Sequence, residues 1–196
     1  MSTSTAPERS LANQSVSELS QAVVGRRLSL QELLDLVDVG EPSNEGESFT
    51  STWVGSVGYE SFREVSVFAQ KVALAGVEQL IDVRELPISR KRGFAKTALS
   101  QALEGVGVRY VHLRSMGNPK EFRDLYKSGK VDEGRTRYQE FLLTSRSDEL
   151  RGLASELRAH RSALMCVEHD QCVCHRDVIF DALQNELELE LHIEAI

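Results

Sequence analysis

Positive charge is in short supply in this chain. Its 23 Lys and Arg face 30 Asp and Glu, a formal net charge of −7 over 196 residues. Phosphate neutralisation by Lys and Arg supplies most non-specific nucleic-acid affinity, so this balance argues against a broad nucleic-acid surface and leaves room only for a local basic patch. Long apolar runs are missing too: no stretch approaches the roughly 20 residues that a membrane span needs, and no membrane partner is expected. The opening Met1 to Glu8 lacks the basic start and apolar centre of a secretory signal, which makes a cytoplasmic location the expectation. Cysteine is scarce, with 3 in all, and they are confined to Cys166, Cys172 and Cys174. An odd number so crowded, beside histidines, speaks against a disulfide framework and for a reduced compartment with a reactive or metal-binding role. What remains, 41% hydrophobic and 27% charged residues, is globular, and the length suits one domain with a full core plus a small appendage.

Residues 1–14, rich in Ser and Thr and without periodicity, read as a disordered tail. Ser15-Val16-Ser17-Glu18 and Ser29-Leu30-Gln31-Glu32 each set Ser three residues before Glu, the pattern that satisfies free amides at a helix start. They predict two short helices, roughly 16–24 and 30–38, joined by Gly25-Arg26-Arg27. As a DNA-reading helix pair this is poorly charged, because the second helix carries Glu32, Asp35 and Asp38 and no basic residue. A docking or packing hairpin is the better reading. Glu41 to Thr50, with Pro42, Asn44 and Gly46, reads as a linker that closes an extension over residues 15–50.

Residues 51–196 alternate between the two periodicities of an α/β domain. Short apolar runs at Trp53 to Gly58, Gln79 to Val83, Val108 to Leu113 and Ala163 to Glu168 read as buried strands. Between them, apolar residues recur at helical steps: Phe62, Val65, Phe68, Ala69 and Val72, closed by Gly76, and then a helix from about Thr97 to Glu104. From Asn118 to Ala159 the pattern is helical with breaks at Ser128-Gly129 and at Ser145 to Ser147. Another helix carries Val178, Ile179, Ala182, Leu183 and Leu187. Strands separated by helices of this length imply right-handed parallel crossovers, hence a mostly parallel, Rossmann-like central sheet with helices on both faces. Glu186 to Ile193 alternates acid and aliphatic residues until His192, the mark of a final edge strand with one wet face, open to antiparallel pairing.

Several of these stretches together resemble the bacterial and archaeal family known as domain of unknown function four-eight-eight. The resemblance rests on Val57-Gly58-Tyr59-Glu60, on Ile81-Asp82-Val83-Arg84 with Pro87, Ser89, Arg90 and Phe94, and on Tyr110-Val111-His112-Leu113 with Gly117. It continues at Cys166-Val167-Glu168 and at Cys174-His175-Arg176, so that it spans most of residues 53–185. It implies a compact α/β domain with a shared polar cleft. The first fifty residues lie outside it, and His169 and Cys172 depart from the family's usual loop.

Ligands of open α/β sheets bind at the carboxyl ends of the strands, where helix amino-termini converge with unpaired N–H groups. Asp82, Arg84, Glu168, Cys174, His175 and Arg176 all fall there. Arg176 and Arg84 would hold an anion, Glu168 or Asp82 would act as general base, and His175 would carry a proton near neutral pH. Cys174, at a helix start beside His175 and Arg176, reads either as a nucleophile or redox thiol or as a small buried side chain. Gly58, Tyr59, Arg90 and His112 complete the candidate ligand-binding set. A purely structural ion pair, such as Arg84 with Glu168, is the competing reading. The Leu80 to Arg84 strand invites comparison with rhodanese domains, but no cysteine precedes an arginine at the spacing of a C-x5-R phosphate loop. Cys166, His169, Cys172, Cys174 and His175 are soft enough ligands for zinc; their crowding in one loop, unlike the separated pairs of structural zinc sites, leaves no metal ligand assigned. The basic stretch Arg84 to Lys96 reads as a pocket wall in preference to a nucleic-acid contact. The residues therefore predict an enzyme, a hydrolase or transferase, for a phosphate-bearing or nucleoside-like small molecule. The alternative is a non-catalytic module that senses metal or redox state or binds nucleotide or nucleic acid. Cofactor and oligomeric state are left open.

Overall fold

A computed structural model describes residues 51–196. The tail, the two helices and the linker expected before them lie outside the described residues. Five strands, β1 (Thr52–Gly58), β2 (Gln79–Asp82), β3 (Arg109–His112), β4 (Ser162–Cys166) and β5 (Leu191–Ala195), form one sheet. Its order is β3-β2-β4-β1-β5, and every pairing is parallel. The helices are α1 (Val65–Leu74), α2 (Lys96–Glu104), α3 (Lys120–Lys127), α4 (Val131–Ser145), α5 (Ser147–Ala159) and α6 (His175–Asn185), with a 3-10 turn at Arg114–Met116.

Both faces of the sheet are covered, and the alternation along β4 shows how. Ala163 and Met165 point to one core, with Phe68 and Val72 of α1 and Leu99 and Leu103 of α2. Leu164 and Cys166 point to the other, with Tyr138 and Leu142 of α4, Leu153 and Leu157 of α5, and Ile179 and Leu183 of α6. Successive side chains of a strand face opposite ways, so a strand buried on both sides must be apolar throughout. That is why β4 is legible as an unbroken run, and why truncating Leu164 to Ala would cost about 2–5 kcal/mol.

The last strand differs from its expectation. The alternation from Glu186 predicts a longer strand open to antiparallel pairing, yet β5 starts at Leu191 and pairs parallel with β1, Thr52 opposite Leu191. The first half of the alternating segment ends the preceding helix instead. The Leu189 amide donates to the Leu183 carbonyl at 3.1 Å, Leu189 is buried, and Glu188 takes a positive φ of 49° to turn the chain. Crossing back over the sheet through α6 returns the chain to the starting end of β1, where only parallel pairing is available.

The order of the strands places the site. From β1 and β2 the chain moves toward β3 through α1 and α2 on one face; from β4 it moves to β5 through α6 on the other. The carboxyl end of β4 thus sits where connections diverge, the usual place for a crevice. On the β1 side that crevice is shut by backbone. Tyr59 and Glu60 amides donate to the Cys166 and Val167 carbonyls at 3.2 and 3.0 Å, and a Cβ on Gly58 would sit 1.8 Å from the Glu168 carbonyl oxygen. The opening lies on the β2 side. Among the described residues no helix is long and apolar enough to cross a membrane.

Candidate functional site

A cavity of about 370 Å³ opens beyond β4. Cys166, Glu168, Cys174 and His175 line it from the ends of β4 and the start of α6. Arg84 and Glu85 follow β2, Asn118 precedes α3, and Arg123, Tyr126 and Lys127 come from α3 itself. Leu86, Ile88 and Val173 add apolar surface. Of its lining cations Arg84, Arg123 and Lys127, Arg84 is paired with Asp82 at 2.6 Å and Arg123 with Glu85 at 2.9 Å. The Asn118 side-chain oxygen and the Tyr126 hydroxyl are buried without a protein partner. Buried polar groups are nearly always paired, so such atoms in a cavity wall are placed for a ligand or water.

The floor is a tight polar cluster. Cys166 ends β4, Glu168 follows two residues on, Cys174 precedes α6 and His175 begins it. The Cys166 and Cys174 sulfurs lie 3.2 and 3.3 Å from the Glu168 Oε2 and 3.6 and 3.7 Å from the His175 Nδ1. His175 Nε2 lies 2.9 Å from the Val83 carbonyl oxygen. A carbonyl only accepts, so Nε2 carries a hydrogen and Nδ1 is the atom turned to the sulfurs. Arg176, fully buried, donates from Nε to Cys174 Sγ at 3.3 Å and from Nη2 to the Glu168 carbonyl at 2.5 Å, while its Nη1 has no partner.

The four groups share too few protons for their lone pairs. Hydrogen bonding to Cys174, and then burial, push the Cys166 thiol well above its usual range. For Cys174 burial opposes the thiolate, but hydrogen bonds from Cys166 and His175 and the charges of His175 and Arg176 hold the thiol well below its usual range. Burial and the adjacent Cys174 charge raise Glu168. Burial disfavours a charged His175, yet its bond to Cys174 and that residue's charge raise it.

Behind this floor lies a second network that meets the cavity only through Arg84. Arg84 forks onto Asp82 with Nε to Oδ1 at 2.8 Å and Nη2 to Oδ2 at 2.6 Å, and its Nη1 donates to the Phe94 carbonyl at 3.0 Å. Burial works against the guanidinium, but Asp82 outweighs it and raises Arg84 further. Tyr110 donates to Asp82 Oδ2 at 2.6 Å. Tyr59 stacks on Phe94 at 4.7 Å, its ring lies 5.1 Å from the Arg84 guanidinium carbon, and His112 Nε2 lies 2.9 Å from the Arg84 carbonyl oxygen.

Of the residues singled out from sequence, Arg84, Glu168, Cys174 and His175 line the cavity. Asp82, Tyr59, His112 and Arg176 support it from behind, Gly58 permits the close approach of β1 to β4, and Arg90 stays exposed on its loop. The buried ion pair joins Arg84 to Asp82, not to Glu168. His169 and Cys172 are exposed and take no part in the cluster. Sequence reasoning passed over Asn118, Arg123, Tyr126 and Lys127. The available signal was on α3, where Arg123, Tyr126 and Lys127 share one face by their three- and four-residue spacing and no residue is buried.

Neither the curated proteins nor the solved structures searched yielded a match to this chain. The family model described as "Domain of unknown function DUF488" matches residues 64–183, which take in β2, β3, β4 and every residue of the cavity floor. Since that match covers more than half of the 196 residues, the chain belongs to the DUF488 family.

Proposed function

We propose that the protein is an enzyme, a hydrolase or transferase, acting in this cavity on a phosphate-bearing or nucleoside-like small molecule. One observation carries the reading: two unpartnered polar groups, Asn118 and Tyr126, and the cations Arg123 and Lys127 share a cavity with a hydrogen-bonded cluster of Cys, Glu and His side chains. Arg123 and Lys127 attract the anionic end, and Leu86, Ile88 and Val173 take an apolar or flat portion of the ligand. Glu168 Oε2 and His175 Nδ1, both within 3.7 Å of the sulfurs, receive and pass on protons. Binding to the cavity orients the reacting bond against them.

A thermal-shift screen of nucleotides and phosphorylated metabolites against the full chain tests this. A ligand at 100 times its Kd would stabilise the native state by about 2.7 kcal/mol. Lys127→Glu and Tyr126→Phe should abolish most of that shift while melting close to the parent, because Lys127 is exposed and the Tyr126 hydroxyl bonds nothing. Glu168→Gln should abolish turnover of the hit. A hit whose shift persists unchanged in Lys127→Glu and Tyr126→Phe binds elsewhere and overturns the reading.

A further inference from the structure

We propose that Cys166, Glu168, Cys174 and His175 form a binding site for a thiophilic divalent cation, zinc in the first instance. Their four donor atoms, two sulfurs, one carboxylate oxygen and one ring nitrogen, all lie within 4.8 Å of one another. Four of the six spacings among these atoms are those of a coordination tetrahedron. With zinc–sulfur bonds of about 2.3 Å and zinc–nitrogen or zinc–oxygen bonds of about 2.0–2.2 Å, the sulfur-to-nitrogen and sulfur-to-oxygen edges come to roughly 3.5 Å. The four such edges here are 3.2, 3.3, 3.6 and 3.7 Å.

Hydrogen bonding alone explains this packing poorly. Thiols are weak hydrogen donors, so contacts to Glu168 Oε2 and His175 Nδ1 hold these four electron-rich groups together only weakly. The surroundings also suit an ion. His175 presents Nδ1 because Nε2–H is held at 2.9 Å by the Val83 carbonyl, the outer contact that metal-bound histidines characteristically make. Two thiolates and a carboxylate carry three negative charges; a divalent ion leaves one, and the buried Arg176, its Nε 3.3 Å from Cys174 Sγ, balances it. Thiolate and imidazole ligands select zinc over magnesium or calcium.

The cluster is assembled from a Cys-x-Glu strand end and a Cys-His helix start, which fold distances bring together. His169 and Cys172, nearer in sequence, stay outside it. All four ligands line the cavity. Glu168, the oxygen donor and the least buried of the four, is the one placed to give way to water or a substrate oxygen, so the ion would serve the cavity as a Lewis acid. With the ion bound, His175 Nδ1 is a ligand and the proton-carrying part proposed above falls to Glu168 alone, once it is released from the ion; the proposal needs no assumption about the cavity's ligand, and neither does its test.

The test is metal analysis of the full chain, made without a metal-binding tag, reduced and incubated with zinc before free ion is removed. Zinc should remain in stoichiometric amount, fall by about 10-fold or more in Cys174→Ser, and stay unchanged in Cys172→Ser and His169→Ala. Cobalt(II) added to the same chain should give a thiolate-to-cobalt charge-transfer band and the intense visible bands of tetrahedral coordination, both lost on adding zinc. That spectrum reports on the parent protein, so a Cys174→Ser chain that fails to fold does not remove the test. The proposal is overturned if zinc is retained only in trace amount, if folded Cys174→Ser keeps it, or if cobalt gives no thiolate band. Metal that disappears in Cys172→Ser or His169→Ala also overturns it.

Discussion

Asp82→Asn is the perturbation that best separates scaffold from site. Asp82 is fully buried, and its partner Arg84 exposes 4% of its side chain. An amide in place of the carboxylate can accept only one of the two fork hydrogen bonds, and it removes the charge that offsets the guanidinium. Arg84 is then left with that one amide oxygen, the Phe94 carbonyl and the Tyr59 hydroxyl, none of them an anion. Breaking a buried pair by removing one partner costs about 3–5 kcal/mol. At about 2–4 °C of melting temperature per kcal/mol for a chain of this size, the fall should be roughly 6–20 °C. The double variant Asp82→Asn with Arg84→Met removes the stranded charge, and it should melt above the single one because two neutral groups of similar volume carry no uncompensated ion. Differential scanning fluorimetry and urea unfolding on the full chain measure both. If Asp82→Asn melts within about 2 °C of the parent, or the double variant falls below it, Asp82 and Arg84 do not hold one another as argued.

Two further outcomes follow from the packing. Gly58→Ala places a Cβ 1.8 Å from the Glu168 carbonyl oxygen, which forces apart the backbone that anchors the cavity floor; a loss of roughly 3 kcal/mol or more, or insoluble protein, is expected. Gly152→Ala on α5, where a Cβ meets nothing within 4 Å, should instead gain about 0.5–1 kcal/mol in urea unfolding. At alkaline pH the tyrosines set the stability. Burial raises Tyr138 well above its usual value and lifts Tyr126 to about 12. A group raised in the folded state stabilises below its unfolded pKa and loses that contribution as pH climbs toward the folded one. Stability should therefore decline above about pH 10, Tyr138 alone contributing about 1.4 kcal/mol per pH unit. Native-state ultraviolet titration should show delayed phenolate formation at these tyrosines; normal ionisation near pH 10 in folded protein would contradict it.

What the sequence alone determined was whatever local periodicity encodes. Leu164 and Met165 sit in an apolar run because a strand covered on both faces tolerates nothing else. Gly76, with φ of 71°, ends α1 where its pattern stops. Cys174, His175 and Arg176 could be set at a helix start, and Glu168 at a strand end, so part of the cavity floor was readable in advance. The tertiary structure alone decided which of these groups meet. Asp82 and Glu168 look alike as acids after strands, but β2 packs Asp82 beneath Arg84 and Tyr110 while β4 turns Glu168 toward two sulfurs. The direction of β5 depended on where α6 returned the chain, not on its own alternation. The α3 wall was invisible for the same reason: Arg123, Tyr126 and Lys127 mean little as a helix surface until that surface faces a cavity. Periodicity acts between neighbours in sequence, whereas a site is a matter of which side chains, tens of residues apart, are packed within a few ångströms.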